Sequence, residues 1–235
     1  MIAPSSPASL GWLILSLNFF KVHLLIPSTP EASLLAEVGA RFHHYQVVSF
    51  MSQVAAQSAC DPQFQKALQF VLRWEGGFVD DPDDHGGRTN KGITQRVYDA
   101  YRTNRRLPAQ DVKGISDEET SAIYFEQYWL AAKCDHLDPE LGMMLFDTAV
   151  NLGDRHALLL MQEATGCRSA DGVYGPQTQA AWDSCSVPDA AARFCMLREE
   201  FYRDLANKPG QGKFLNGWLN RLNALREELG IPVIA

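Results

Sequence analysis

From residue 61 onward, apolar residues recur at helical spacing over most of the chain. Asp61 can cap a helix whose first position is Pro62, and Phe64, Leu68, Val71 and Leu72 form one apolar face up to the pair Gly76-Gly77. The segment Phe78 to Gly92 breaks that rhythm. Asp80, Asp81, Pro82, Asp83, Asp84, Gly86 and Gly87 are turn formers, which suits a loop or small hairpin. A second helix is expected after Thr94, through Val97, Tyr98 and Tyr101. Ser116 with Glu119 makes a capping box for a third, through Ile123, Tyr124, Tyr128 and Trp129, and Pro139 opens a fourth carrying Leu141, Leu145 and Thr148. Four more are expected near Asp154 to Thr165, Pro176 to Ser184, Asp189 to Ala206 and Lys213 to Leu229, with a turn signal across Ala170 to Pro176. The expected class is mainly α in two lobes, with a boundary within 136–154 and room for strands only in the loop at 76–92.

The first sixty residues do not share this pattern. They hold four charges, Lys21, Glu31, Glu37 and Arg41, and Pro4, Pro7, Pro27 and Pro30, with no clean helical or alternating period. Residues 1–60 are therefore expected to be a poorly ordered extension. Their longest apolar run, Leu10 to Ile26, contains Lys21 and His23 and is short for a membrane span. It also lacks the basic n-region of a signal peptide.

Charge and composition narrow the classes further. The 235 residues are 46% hydrophobic and 21% charged, the range of ordinary globular proteins, and the net charge of −7 is the wrong sign for a phosphate-binding surface. No nucleic-acid partner is expected. Five scattered cysteines without a C-x-x-C pair read as buried thiols, and the six histidines form no metal-ligand motif, so no metal or cofactor is expected. The acidic pairs Asp80-Asp81 and Asp83-Asp84 lack EF-hand spacing.

The candidate chemistry sits at Trp74-Glu75-Gly76-Gly77. Glu75 lies seven residues after Leu68 and four after Val71, on the apolar stripe of the first helix. Burial there would penalise the ionised carboxylate and raise its pKa, as a general acid requires. On helix phase alone, an equal reading has Glu75 pointing to solvent as the helix ends. The following loop tips the balance: Gly76-Gly77 leaves space beside the carboxylate, and Asp84 and Thr89 offer a second carboxylate and a hydroxyl. Acid, carboxylate and water-positioning hydroxyl are the groups that glycoside hydrolysis uses.

The segment from Glu75 to Thr94, E-G-G-F-V-D-D-P-D-D-H-G-G-R-T-N-K-G-I-T, resembles the signature of glycoside hydrolase family 108, the endolysin-type N-acetylmuramidases. His85 stands where that family usually has proline before the second glycine pair. The order of Glu75, Asp84 and Thr89 is also similar to that in phage-type lysozymes, with Thr89 one residue closer to the aspartate. Phe146 to Gly153, Asp171 to Thr178 and Gly217 to Arg221 resemble the C-terminal peptidoglycan domain that accompanies the family.

The resemblance implies a lysozyme-like fold, with a catalytic part over 61–140 and a helical peptidoglycan-binding part over 141–235. It implies cleavage of the β-1,4 bond between N-acetylmuramic acid and N-acetylglucosamine, with Glu75 as general acid. Asp84 then either stabilises developing charge or positions water, or only braces its loop. Thr89 either orients the attacking water or bonds its own loop. Tyr124, Tyr128 and Trp129 could line a sugar cleft, although their spacing weighs toward core, and Asn151 reaches the cleft or caps its helix. Trp218 is expected to pack the last helix against the body. A lytic transglycosylase and a non-catalytic wall-binding or autolysis-regulating protein are the rival readings.

The expected partner is peptidoglycan, met by a monomer made in the bacterial cytoplasm and acting at the wall. A holin-type pore serves for export unless residues 10–26 direct it. The negative charge predicts that affinity for an anionic wall comes from shape and hydrogen bonding. The functional chain is expected to begin near Met51, and N-terminal sequencing of the expressed protein checks this: a mature terminus well before Met51 would refute it.

Overall fold

Eight α-helices and one short hairpin make up the computed structural model over its described residues, 57–58, 60–80 and 87–232. Apart from Gln57, Ser58 and Cys60, the N-terminal extension lies outside them, as does Asp84 in the loop at 81–86. In chain order the elements are α1 (Pro62–Leu72), β1 (Thr89–Asn90), β2 (Ile93–Thr94), α2 (Gln95–Asn104), α3 (Asp117–Tyr124), α4 (Pro139–Leu152), α5 (Asp154–Ala164), α6 (Pro176–Ser184), α7 (Val187–Ala206) and α8 (Leu215–Leu229). The fold is mainly α and lysozyme-like, with its one hairpin between the first two helices.

The first four helices start where the sequence supplies side-chain acceptors for free N–H groups. The Asp61 carboxylate accepts from the Gln63 and Phe64 amides, Thr94 Oγ1 accepts from Val97, and Ser116 with Glu119 forms the full capping box of α3. Glu119 does more than cap. Its carboxylate also accepts from Tyr98 (2.5 Å) and Arg102 (2.6 Å), tying α2 to α3. Beyond Tyr124 the helix widens into a π-helical turn, Phe125–Leu130, which the sequence pattern did not foretell.

At the centre lies α4. Every residue from Leu141 to Ala149 is buried, so the helix has no wet face and must be covered on all sides. It packs against α1, α5 and α7. On the α1 side, Phe64, Phe125, Trp129 and Phe146 meet edge to face, with ring centroids 4.9–5.7 Å apart. All five cysteines are free thiols, but only Cys134 and Cys195 are buried as expected. Cys60 is exposed and Cys167 and Cys185 are half-buried, because they fall at helix ends and loops and not on packed stripes.

The turn at Ala170 to Pro176 is built around one buried side chain, Gln162. Its Oε1 accepts from the amides of Asp171 (2.9 Å) and Gly172 (2.8 Å). Its Nε2 donates to Thr178 Oγ1 (2.9 Å), Val173 O (3.0 Å) and Asp171 Oδ1 (3.1 Å). The backbone passes so close to α5 that a Cβ on Gly172, where φ is +71°, would stand 2.6 Å from the Arg155 carbonyl oxygen.

Two outcomes follow for this loop. Gln162→Leu removes the amide and leaves buried backbone donors unpaired, so unfolding in urea should show a loss of about 3 kcal/mol. The Val173 amide and the Gln162 side chain hold the Asp171 carboxyl below its ordinary 3.8. That stabilisation is present above 3.8 and is lost as pH falls through the lower folded value. Melting temperatures between pH 5 and 2 should therefore fall less steeply in Asp171→Asn than in the wild type, about the range over which a paired carboxylate is lost.

Candidate active site

Glu75 sits in the turn that ends α1, its amide bonded to Val71 O at 3.1 Å. Its side chain is 20% exposed and meets a cation: Arg221 Nη1 on α8 donates to Glu75 Oε1 at 2.9 Å. The environment thus differs from the purely apolar one that helix phase suggested. Residues 146 positions apart are joined by a charge-assisted hydrogen bond.

Arg221 is itself held from behind. Its Nε donates to Asp147 Oδ1 at 2.8 Å, and Asp147 Oδ2 pairs with Arg198 Nη1 at 2.6 Å. Arg198 Nε donates to the Tyr202 hydroxyl, which donates to Asn151 Oδ1 at 2.7 Å. Asp147 and Arg198 are fully buried. Desolvation pulls the Arg221 pKa down, but the carboxylates of Asp147 and Glu75 outweigh it and hold the group above its ordinary value. Arg198 is likewise pulled down by burial and raised overall by Asp147 and Tyr202.

The hairpin closes the other side of the carboxylate. β1 and β2 pair antiparallel, Thr89 with Thr94 and Asn90 with Ile93, so the turn is Lys91-Gly92, with φ of +50° and +75°. Two positive φ values are what a two-residue hairpin turn needs. Gly92 meets a second demand, because a Cβ there would lie 2.7 Å from Glu75 Oε2 and 2.5 Å from the Tyr124 hydroxyl. Tyr124 donates that hydroxyl to Lys91 O at 2.8 Å, and Asn90 Nδ2 donates to the carbonyls of Val112 and Lys113. Burial and then the negative charge of Glu75 push the Tyr124 hydroxyl well above its ordinary pKa, so it remains a neutral donor. The same two causes raise Tyr128.

The residues singled out from sequence therefore divide. Tyr124 and Tyr128 stand beside Glu75, with ring centroids 5.5 Å apart. Trp129 lies wholly inside the core, with no face to offer a sugar, because the rings of Phe64 and Phe146 pack against it. Asn151, in the last turn of α4, receives the Tyr202 hydroxyl. Thr89 lies on β1 with its hydroxyl donating to Gly87 O at 3.2 Å, and Asp84 is outside the described residues. Trp218 stacks on Tyr202 at 5.5 Å and so packs α8 onto α7. Among the described residues no group of three His, Cys, Asp or Glu side chains could hold a metal.

Arg221, Asp147 and Gly92 were not singled out as site residues. A signal existed for two of them. Asp147 interrupts the apolar run from Leu141 to Val150, and a carboxylate in such a helix demands a cation. Arg221 falls beside Leu222 and Leu225 on the buried face of α8.

The sequence profile of the family described as Glycosyl hydrolase 108 matches residues 68–153, and that of a Predicted Peptidoglycan domain matches residues 156–223. Among curated proteins none matches. Among solved structures, Brucella abortus SagA is similar at 30% sequence identity and a TM-score of 0.60, over 72% of this chain and 94% of SagA. Glu75, Gly92 and Asp147 fall in the first matched segment and Arg221 in the second.

Gly92→Ala tests the close approach at the turn. It should cost about 1–3 kcal/mol of stability, measured by denaturant unfolding, because it combines a strained φ with a clash. It should also lower wall-degrading activity in the protein that remains folded, by displacing the Glu75 carboxylate.

Proposed function

We propose, from the premise that the chain belongs to the glycosyl hydrolase 108 family and continues into a peptidoglycan domain, that it cleaves the β-1,4 bond between N-acetylmuramic acid and N-acetylglucosamine with Glu75 as general acid. That it is a glycoside hydrolase acting on peptidoglycan at the cell wall, and that it binds peptidoglycan, follows from those two segments. The particular bond and the role of Glu75 are our reading.

The observation that carries it is the carboxyl group of Glu75, 20% exposed at the end of an amphipathic helix, with one oxygen held by Arg221 and the other turned to Gly92. In the reaction the Glu75 proton passes to the bridging oxygen as the bond to the anomeric carbon breaks, and that oxygen keeps the electron pair. Water delivers hydroxide to the anomeric carbon, and its remaining proton restores the enzyme. Asp84 serves the developing positive charge or the attacking water. Tyr124 is held by Lys91 O and acts through the shape of the site, while Tyr128, half-buried beside Glu75, is the aromatic available to a sugar. The Thr89 bond to Gly87 O supports a loop-bracing role for that hydroxyl. On this reading the protein is a monomer made in the bacterial cytoplasm, for which a holin-type pore is the route to the wall unless residues 10–26 direct export.

Glu75→Gln keeps the size of the side chain and removes the acid. It should lower turnover of purified cell walls about 10²–10⁴-fold, the usual worth of a general acid. Mass spectrometry of the wild-type digest should show reducing N-acetylmuramic acid ends. Anhydro-muramyl ends would instead establish a transglycosylase, and a Glu75→Gln protein that lyses walls as well as wild type would overturn the assignment.

A further inference from the structure

We propose that Arg221, supplied by the segment matched as a peptidoglycan domain, is a positioning residue for Glu75: it makes Oε2 the carboxyl oxygen that carries the catalytic proton. The inference rests on the reading of Glu75 as general acid.

The argument begins with what a guanidinium can do. It has five N–H donors and no acceptor. An oxygen that takes its hydrogen bond must turn a lone pair toward it, and a proton on that oxygen would compete with the guanidinium for the same side of the carboxyl group. Oε1 of Glu75 is the oxygen 2.9 Å from Arg221 Nη1. The protonated acid therefore holds its hydrogen on Oε2. That oxygen faces the hairpin turn, where Gly92 leaves vacant the space a Cβ would fill 2.7 Å away. Arg221 chooses the oxygen, and Gly92 lets that oxygen sit beside the turn without a clash.

Structural duty alone does not account for Arg221. The Asp147 carboxylate already has Arg198 Nη1 at 2.6 Å. What the side chain does accomplish is to span two carboxylates from Nε and Nη1, with Asp147 as the fixed end. The rigid, planar fork makes that possible, and a lysine ammonium would hold the pair with less directional control. The consequence is that the peptidoglycan segment completes the reacting centre and is not a detachable wall anchor.

The test compares Arg221→Gln and Arg221→Lys with wild type and Glu75→Gln, in the full chain on purified cell walls, below the melting transition of each variant. Arg221→Gln should lower kcat about 10- to 100-fold, the scale expected when a reacting group is misplaced by an ångström, with KM unchanged. Arg221→Lys should recover part of that loss, because it keeps a cation and a donor. A wild-type kcat in Arg221→Gln, or a lysine variant no better than the glutamine one, overturns the positioning role while an inactive Glu75→Gln leaves the general acid standing. An active Glu75→Gln overturns the reading beneath it. If the glutamine variant does not fold, the lysine variant decides: a lowered kcat at unchanged KM supports the role, and a wild-type kcat overturns it.

Discussion

A carboxylate sealed inside an apolar helix must be given a cation, and Asp147 places that demand at the centre of this protein. It lies among nine consecutive buried residues of α4, and two arginines reach it, Arg198 from α7 and Arg221 from α8. Such an arrangement is weak evidence for stability, since an apolar replacement of the whole group can be as stable, whereas removing a single partner typically costs about 3–5 kcal/mol. Its value lies in direction. Greasy side chains would let α7 and α8 settle at several rotations, but a guanidinium from each helix on one buried carboxylate favours one face of each toward α4.

That constraint reaches the site through one bond. With Arg221 fixed by Asp147 through Nε, its Nη1 falls on Glu75, and the end of α1 is thereby registered against α8. The hairpin sets the opposite wall by different means: an αL turn with a glycine, a tyrosine hydroxyl on the turn carbonyl and an asparagine amide on two carbonyls beyond. Glu75 is held between a charged wall and a backbone wall. The first comes from the segment matched as a peptidoglycan domain, the second from the glycosyl hydrolase segment.

Much of the fold was legible because its signals are local. Asp61 and the Ser116–Glu119 pair mark helix starts through hydrogen bonds that reach no more than three residues, Pro62, Pro139 and Pro176 through a φ already fixed for the first helical position, and each is a start in the structure. The π-helical turn after Tyr124 was not legible, since it depends on how Trp129 fits between Phe64 and Phe146, residues far apart in the chain. Cysteine burial was overestimated for a similar reason. A thiol's depth depends on which helix end it occupies and what covers it, and composition is blind to both.

The candidate acid stood out in the sequence because a carboxylate on an apolar stripe beside two glycines is a local anomaly, and the glycine-rich run after it is a contiguous motif. The partners of that acid did not stand out, because they are brought together from positions 75, 92, 147 and 221 by helix packing. Hydrophobic periodicity and capping chemistry determined a mainly helical chain and placed Glu75 at a helix end, whereas the turn formers left loop or hairpin open over 76–92 and the second strand, Ile93–Thr94, falls just beyond that range. Only the tertiary structure decided that the end meets a guanidinium instead of a greasy wall, since an ion pair across 146 residues is set by where two helices cross and leaves no mark on the spacing within either one.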